Sequence, residues 1–332
     1  MKVRLACCFG EIKYNDAIIV QEKRLTENRV LSVNVSIAND LIATIDFTAL
    51  LHFHHHAIDD SKIVLDQFFG TQEISLASIS LDMPFFNMIK SPLPFWEGEE
   101  LFVIESVLFS IIEKLSPVSL SRINCRSIKC NQLYSKMDSK TPSCLKIKIR
   151  PTEESLEETK NIVGPMMKTN PEVSFRLDGN RSFDLLQLLN FMKSLENFCG
   201  PDFFNSVEYL EEPLKNHAEY PEFSKLRPYP EALDETIIDA LKNKNDLNEI
   251  PKTAHLILKP SLIGISKCFE LMSRSAETGH KIIISSCYET YSAIRPLLFL
   301  AASSPLAYHG LDTLKFLPKP LVNNNTDFTL LF

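Results

Sequence analysis

The chain has 332 residues, 23% charged and 45% hydrophobic, an ordinary globular balance with room for one large core or for a barrel plus a smaller domain. Its net charge of −7 excludes a general attraction to nucleic acid or to anionic membrane. No apolar run reaches the ~18 residues of a bilayer span, and MKVRLACCFGEIKY at the start has too short an apolar stretch for a signal peptide. A soluble, cytoplasmic protein is therefore expected, with no nucleic-acid partner and no membrane insertion. The eight cysteines form no CxxC pair, which fits reduced thiols, and Cys7, Cys8, Cys125 and Cys130 match no metal-ligand pattern.

In chain order, RVLSVNVSIA and DLIATIDFTAL alternate with β-branched residues and predict strands. The loop FTALLHFHHHAID carries His52, His54, His55 and His56. A transition-metal site, a substrate-facing loop and a plain polar loop are the three readings of that cluster. Adjacent residues seldom supply several ligands to one tetrahedral ion, which favours the polar loop. LFVIESVLFSIIEKL then has helical length and an apolar stripe.

From about residue 122 short strands and amphipathic helices alternate. RSIKCN, CLKIKIR, SFRLDGN, VEYLEEP, EALDE, HLILKP and KIIISSC predict strands. SLEETKNIVGPMMK, FDLLQLLNFMKSLENF, ISKCFELMSRSAETG and YSAIRPLLFLAA predict helices, with Gly279 at a helix C′ position. Residues 213–231 hold four prolines and predict a short helix between turns. This alternation predicts a parallel sheet closed into a modified TIM barrel of the (β/α)7β type, with an N-terminal α+β capping domain. The expected boundaries are 1–121 for the cap, with the tail 315–332 packing back on it, and 122–314 for the barrel.

Charged residues stand at the ends of successive predicted strands. Lys146 and Lys148 lie in CLKIKIR, followed by Asp178, Glu211, Asp234 and Lys259 at intervals from Lys148 of 30, 33, 23 and 25 residues. Units of that size bring strand ends to one rim of a parallel barrel. Lys146 and Lys148, two apart, share a face, where burial would lower a lysine pKa and make it a base near neutral pH. An exposed edge strand with two solvated lysines is the alternative. The three acids suit a hard cation such as Mg²⁺. Taken singly, each also fits a helix N-cap or a solvated loop. Only nine glycines occur, and Gly179 and Gly264 flank these residues, where backbone is expected to pass close to a ligand.

KIK, RLDGNR, YLEEP, LDET, LKP and SSCYET, in that order, resemble the enolase superfamily, which pairs a Lys or His base with Mg²⁺. FRLDGNRSF, LKPSLIG, IISSCYET and GLDTL are similar in particular to the o-succinylbenzoate synthase family, over about residues 122–314. The resemblance implies a lyase of menaquinone synthesis. It would dehydrate 2-succinyl-6-hydroxy-2,4-cyclohexadiene-1-carboxylate to 2-succinylbenzoate through an ene-diolate. Lys148 would remove the α-proton and protonate the departing hydroxyl, and Lys146 would stabilise the enolate oxygens. Asp178, Glu211 and Asp234 would hold Mg²⁺ (or Mn²⁺), with Asn180 orienting a ligand, and Lys259 would face the intermediate from the opposite wall. Arg176, Gly264, Ser285 and Ser286 are further candidates for substrate contact. The chain departs from the family at Cys287 and Tyr288, where smaller or aliphatic residues are expected.

Two other functions fit the same sequence. One is a racemase or epimerase of N-acylamino acids or dipeptides, in which Lys148 and Lys259 act on opposite faces of one carbon. Against it, Asp312 in GLDTL lacks the DxD partner that dipeptide epimerases commonly carry. The other is a non-catalytic barrel serving as a binding or scaffold protein, which the unpaired buried charges would destabilise. The partner is a small-molecule carboxylate, and the oligomeric state is left open.

Overall fold

A computed structural model describes residues 3–20, 23–49, 58–71, 98–115, 127–134, 142–242, 250, 254–304, 308–318 and 329–331. The loop with His52, His54, His55 and His56, together with Cys125 and the expected boundary at 121/122, lies outside the described residues. The N-terminal layer follows from alternation. β1 (Val3–Val20), β2 (Lys23–Ile37) and β3 (Asp40–Thr48) form an antiparallel sheet in which Leu31, Val33 and Val35 are buried. Ser32, Asn34 and Ser36 between them point the other way. A two-residue turn joins β2 to β3, and Ala38 and Asn39 both take positive φ, of 50° and 74°, as a tight hairpin requires.

Two helices cover the inner face, α1 (Ile58–Thr71) and α2 (Glu99–Leu115). α2 buries Phe102, Val103, Ile104, Val107, Ile111 and Ile112, the apolar stripe expected for 101–115. β1 and α1 are not among the elements expected from sequence; in β1 the run of four exposed residues at 8–11 breaks the alternation.

The second layer begins with β4 (Ser127–Lys129), the strand expected in RSIKCN, and β5 (Gln132–Leu133), which lies just beyond that segment and is the one that joins the large parallel sheet. β6 (Cys144–Lys148), α3 (Glu153–Thr169), β7 (Ser174–Asp178), α4 (Leu185–Cys199), α5 (Phe203–Ser206) and β8 (Val207–Glu211) follow. After a 3-10 turn come α6 (Tyr220–Leu226), β9 (Glu231–Leu233), α7 (Glu235–Lys242) and β10 (His255–Leu258). α8 (Pro260–Ile263), α9 (Ile265–Thr278), β11 (Lys281–Ile284) and α10 (Arg295–Ala302) complete the series. Their ends are locally encoded. Thr152 caps α3, Asp184 and Gln187 form a capping box on α4, and Gly279 closes α9 in the left-handed region at φ 81°.

β5 to β11 form one parallel sheet in sequential order. The segment 308–311 occupies an eighth position and closes the ring. Gly310 N donates to Ile284 O at 2.9 Å on one side, and Asn131 N donates to His309 O at 3.0 Å on the other. His309 is fully buried, accepting from Ile284 N through Nδ1 and bonding Ser304 O through Nε2.

Alternation sorts the barrel strands. Leu145, Ile147, Phe175, Leu177 and Leu210 face α3 and α4, while Tyr209, Ala232, Ile257 and Ile283 meet inside. A larger core runs without a break from β2, β3, α1 and α2 into β10, β11, α9 and α10. Of the C-terminal residues, Leu317 packs on Tyr14 and Ile18 of β1, and β12 (Thr329–Leu331) pairs in parallel with β4. Among the described residues no helix is long and apolar enough to cross a membrane.

Candidate active site

Inward-facing positions at the C-terminal ends of β6 to β11 open into a cavity of about 560 Å³. Strand register sets their levels. Lys148 pairs with Asp178 and Asp178 with Glu211, so these three stand at one height, while Lys146 pairs with Arg176 one layer deeper. Asp234 and Lys259 each follow the last residue of their strands, β9 and β10. All six charged residues singled out by their spacing line this cavity. In the ring of eight positions β6 and β10 lie four apart, so Lys146 and Lys148 face Lys259 across it.

Five of the six charges are paired, whereas Lys148, at the end of β6, is exposed, which corrects the expectation that both lysines are buried. Lys146 Nζ is 2.7 Å from Glu211 Oε1 and 2.9 Å from Asp178 Oδ2, and Lys259 Nζ bonds Asp234 Oδ2. Burial works against the Lys146 ammonium, but Asp178 and Glu211 outweigh it and raise the lysine's pKa. The expectation of a burial-lowered lysine is corrected there by its two acidic neighbours. Lys259 behaves likewise, with Asp234 overcoming burial. Burial also opposes ionisation of Asp178, yet Lys146, Lys148 and Lys259 hold its carboxyl below the usual range. Burial pushes Glu211 up to about 7 and Asp234 up to about 6, each partly offset by its lysine.

Whether these residues suit a divalent cation can be judged from their oxygens. Glu211 Oε2 and Asp234 Oδ1 are buried without a hydrogen-bond partner. A buried carboxylate oxygen with no donor is costly, and a cation would satisfy both. Among the described residues no three carboxylate, imidazole or thiolate groups already converge on one point. Instead each of the three carboxylates is drawn to an ammonium. The donor set of three carboxylates at adjacent strand ends is of the type that suits a hard cation such as Mg²⁺.

Asn180, Ser285 and Ser286 also line the cavity. Asn180 takes φ 42° and donates its N–H to Asp178 Oδ1 at 3.1 Å, which helps hold that carboxylate. Ser286 Oγ donates to Gly310 O at 2.9 Å and lies 2.6 Å from Thr313 Oγ1.

Two candidates for substrate contact are corrected. Arg176 is fully buried below the cavity, its guanidinium held by both oxygens of Glu208 (2.8 and 3.0 Å), Asn131 Oδ1 (2.9 Å) and Tyr308 O (2.8 Å). Gly264 lies outside the lining at the α8–α9 junction with φ 88°, where a Cβ would come within 2.8 Å of the Leu101 side chain on α2. Gly179 does line the cavity, but its close approach is to backbone, since a Cβ would lie 2.6 Å from Pro213 Cα.

The spacing of charges leaves several lining residues unnoticed. Tyr209 shares the face of Glu211 and was recoverable from period two along β8. Glu235 and Arg181 sit within LDET and LDGNR, beside residues already singled out, whereas Asn131 carries no sequence signal. Tyr288 has φ 63° and wedges its ring against Tyr14 of β1 and Phe316, at centroid separations of 6.4 and 5.9 Å.

The fold is that of the enolase superfamily. A dipeptide epimerase from Methylococcus capsulatus, complexed with Mg and the dipeptide L-Arg-D-Lys, superposes with TM-score 0.70 at 15% identity, over 97% of this chain and 93% of that one. An o-succinylbenzoate synthase from Thermosynechococcus elongatus, complexed with Mg in the active site, gives TM-score 0.65 at 15% identity over 97% of both chains. In sequence the chain resembles the o-succinylbenzoate synthases. It is 30% identical over 171 residues to that of Yersinia enterocolitica, 51% of each chain, and 31% identical over 163 residues to that of Yersinia pseudotuberculosis, 48% of each. The match spans about half the length of these curated relatives. No family model matches the chain.

Proposed function

We propose that this protein is an enzyme of the enolase superfamily and acts as a Mg²⁺-dependent o-succinylbenzoate synthase. The carrying observation is the rim of Lys146, Lys148, Asp178, Glu211, Asp234 and Lys259 around one cavity, in a chain whose curated relatives bear that name. The substrate class is a cyclohexadiene carboxylate of menaquinone synthesis, and the product is 2-succinylbenzoate. Asp178, Glu211 and Asp234 are the residues that would hold Mg²⁺ (or Mn²⁺), which supplies Lewis-acid neutralisation of the substrate carboxylate.

The chain's own groups then divide the work. The Lys148 amine takes the proton α to the carboxylate, and the released electron pair moves into the carboxylate as an enolate. Lys146, kept cationic by Asp178 and Glu211, stabilises that developing charge. When the pair returns to form the ring double bond, the C–O bond breaks. The ammonium of Lys148 gives its proton to the leaving hydroxyl, so water departs from the face where the proton was taken. Lys259 faces the intermediate from the opposite wall as a fixed positive charge.

We take the chain to divide near residue 121 into a cap (1–121, with 315–332) and a barrel (122–314). Loss of the diene's ultraviolet absorbance, measured with and without chelator for the wild type and Lys148→Ala, tests the assignment. Turnover that needs Mg²⁺ and vanishes in the variant supports it, and a folded, Mg²⁺-binding wild type without turnover overturns it. The opposed placement of Lys148 and Lys259 also favours a second reading, epimerisation of N-acylamino acids or dipeptides. Exchange of the α-proton in D₂O with retention of all substituents would select it.

A further inference from the structure

Glu212 does not line the cavity, yet it is 2% exposed and its backbone takes φ 38°, in the left-handed region that a glutamate adopts only against its preference. Its carboxylate is saturated. Oε1 accepts from Asp234 N at 2.9 Å and Thr236 N at 2.7 Å, while Oε2 accepts from Arg181 Nε and Thr236 Oγ1, both at 3.0 Å. The backbone adds two further ties, since Glu212 N donates to Ala232 O at 3.0 Å and Arg181 N donates to Glu212 O. One side chain thus joins the loops that follow β7, β8 and β9, which carry Asp178, Glu211 and Asp234.

We infer that Glu212 is a positioning residue that sets the spacing of these three carboxylates, and through it their affinity for a divalent cation. The inference rests on the proposed metal role of the triad. It differs from a general stabilising role in what it touches. Every hydrogen bond to the Glu212 carboxylate comes from a residue within three positions of Asp178 or Asp234. Arg181 holds the far side, donating also to Asp239 Oδ2 at 2.8 Å and Thr236 Oγ1 at 2.9 Å. A glutamine at 212 keeps one acceptor oxygen and turns an NH₂ toward donors on one of the two sides, so one loop is released.

The test is Mn²⁺ binding to the full chain, followed by electron paramagnetic resonance of the free ion, with Mg²⁺ competition and apo thermal unfolding alongside. Glu212→Gln is expected to weaken metal binding about 10- to 100-fold, as loss of a ligand-orienting partner does elsewhere. Thr236→Val, which removes the hydroxyl's bonds to Glu212 Oε2 and Arg181 but keeps the Thr236 N–H donor, should weaken it in the same direction by a few-fold. That milder variant decides the matter if Glu212→Gln does not fold. Metal affinity within twofold of wild type in the folded variants would overturn the positioning role. A folded wild type that binds neither Mn²⁺ nor Mg²⁺ would overturn it too, by removing the metal reading beneath it.

Discussion

Lys146 stands between two carboxylates that are themselves nearly dry, and this arrangement governs what its removal would do. Lys146→Met leaves Asp178 and Glu211 buried without their ammonium, which costs about 3 kcal/mol in a pair so enclosed. Denaturant unfolding in chelator should show that loss, and added Mg²⁺ should recover part of it by mass action. No loss in chelator would mean that water or another cation already compensates the acids.

A second buried charge lies away from the cavity. Glu105 on α2 accepts from Ile265 N, Ser266 N and Ser266 Oγ at the start of α9, and burial raises its pKa to about 7 from 4.5. A carboxyl raised in the folded state favours folding while protonated. That contribution is complete below pH 4.5 and is lost as pH rises through 7. Unfolding free energy of the wild type relative to Glu105→Gln should fall by about 3 kcal/mol across that window. A difference that stays flat with pH would show that the hydrogen bonds outweigh burial.

At the scale of elements, the closing of β7 against β8 depends on one missing side chain. A Cβ on Gly179 would lie 2.6 Å from Pro213 Cα, and the next nearest atoms, Pro213 O and C, are also backbone and cannot swing aside. Gly179→Ala should therefore cost about 1–3 kcal/mol. It should also lower activity more than the unfolded fraction explains, because Asp178 precedes it directly. Activity that merely tracks the folded fraction would place the strain elsewhere. Gly179 was legible as a point of close approach, but sequence pointed to a ligand where structure shows the backbone of the loop after β8. Gly264 misleads for the same reason, since the crowding there comes from α2, a helix about 160 residues earlier in the chain.

For the whole molecule, the core that runs unbroken from α1 and α2 into α9, α10 and β11 couples the N-terminal sheet and helices to the later half of the barrel. Calorimetry of the full chain should give a single transition, and Ile104→Ala in α2 should lower it throughout, at a cost of about 2–5 kcal/mol. Two resolved transitions would show that the two layers fold independently.

Local pattern was enough to place Lys148, Asp178, Glu211, Asp234 and Lys259 on one rim. Strand alternation and a strand-plus-helix period are short-range properties, repeated along the chain, and each repeat reports the same geometry. The partners of those residues were not readable in that way. Which ammonium meets which carboxylate, how Glu212 ties three loops, why Arg176 falls below the cavity, and that residues 308–311 close the ring all depend on register between strands far apart in sequence. Only packing of the assembled barrel selects that register, because every hydrogen bond involved joins segments that local preference leaves independent.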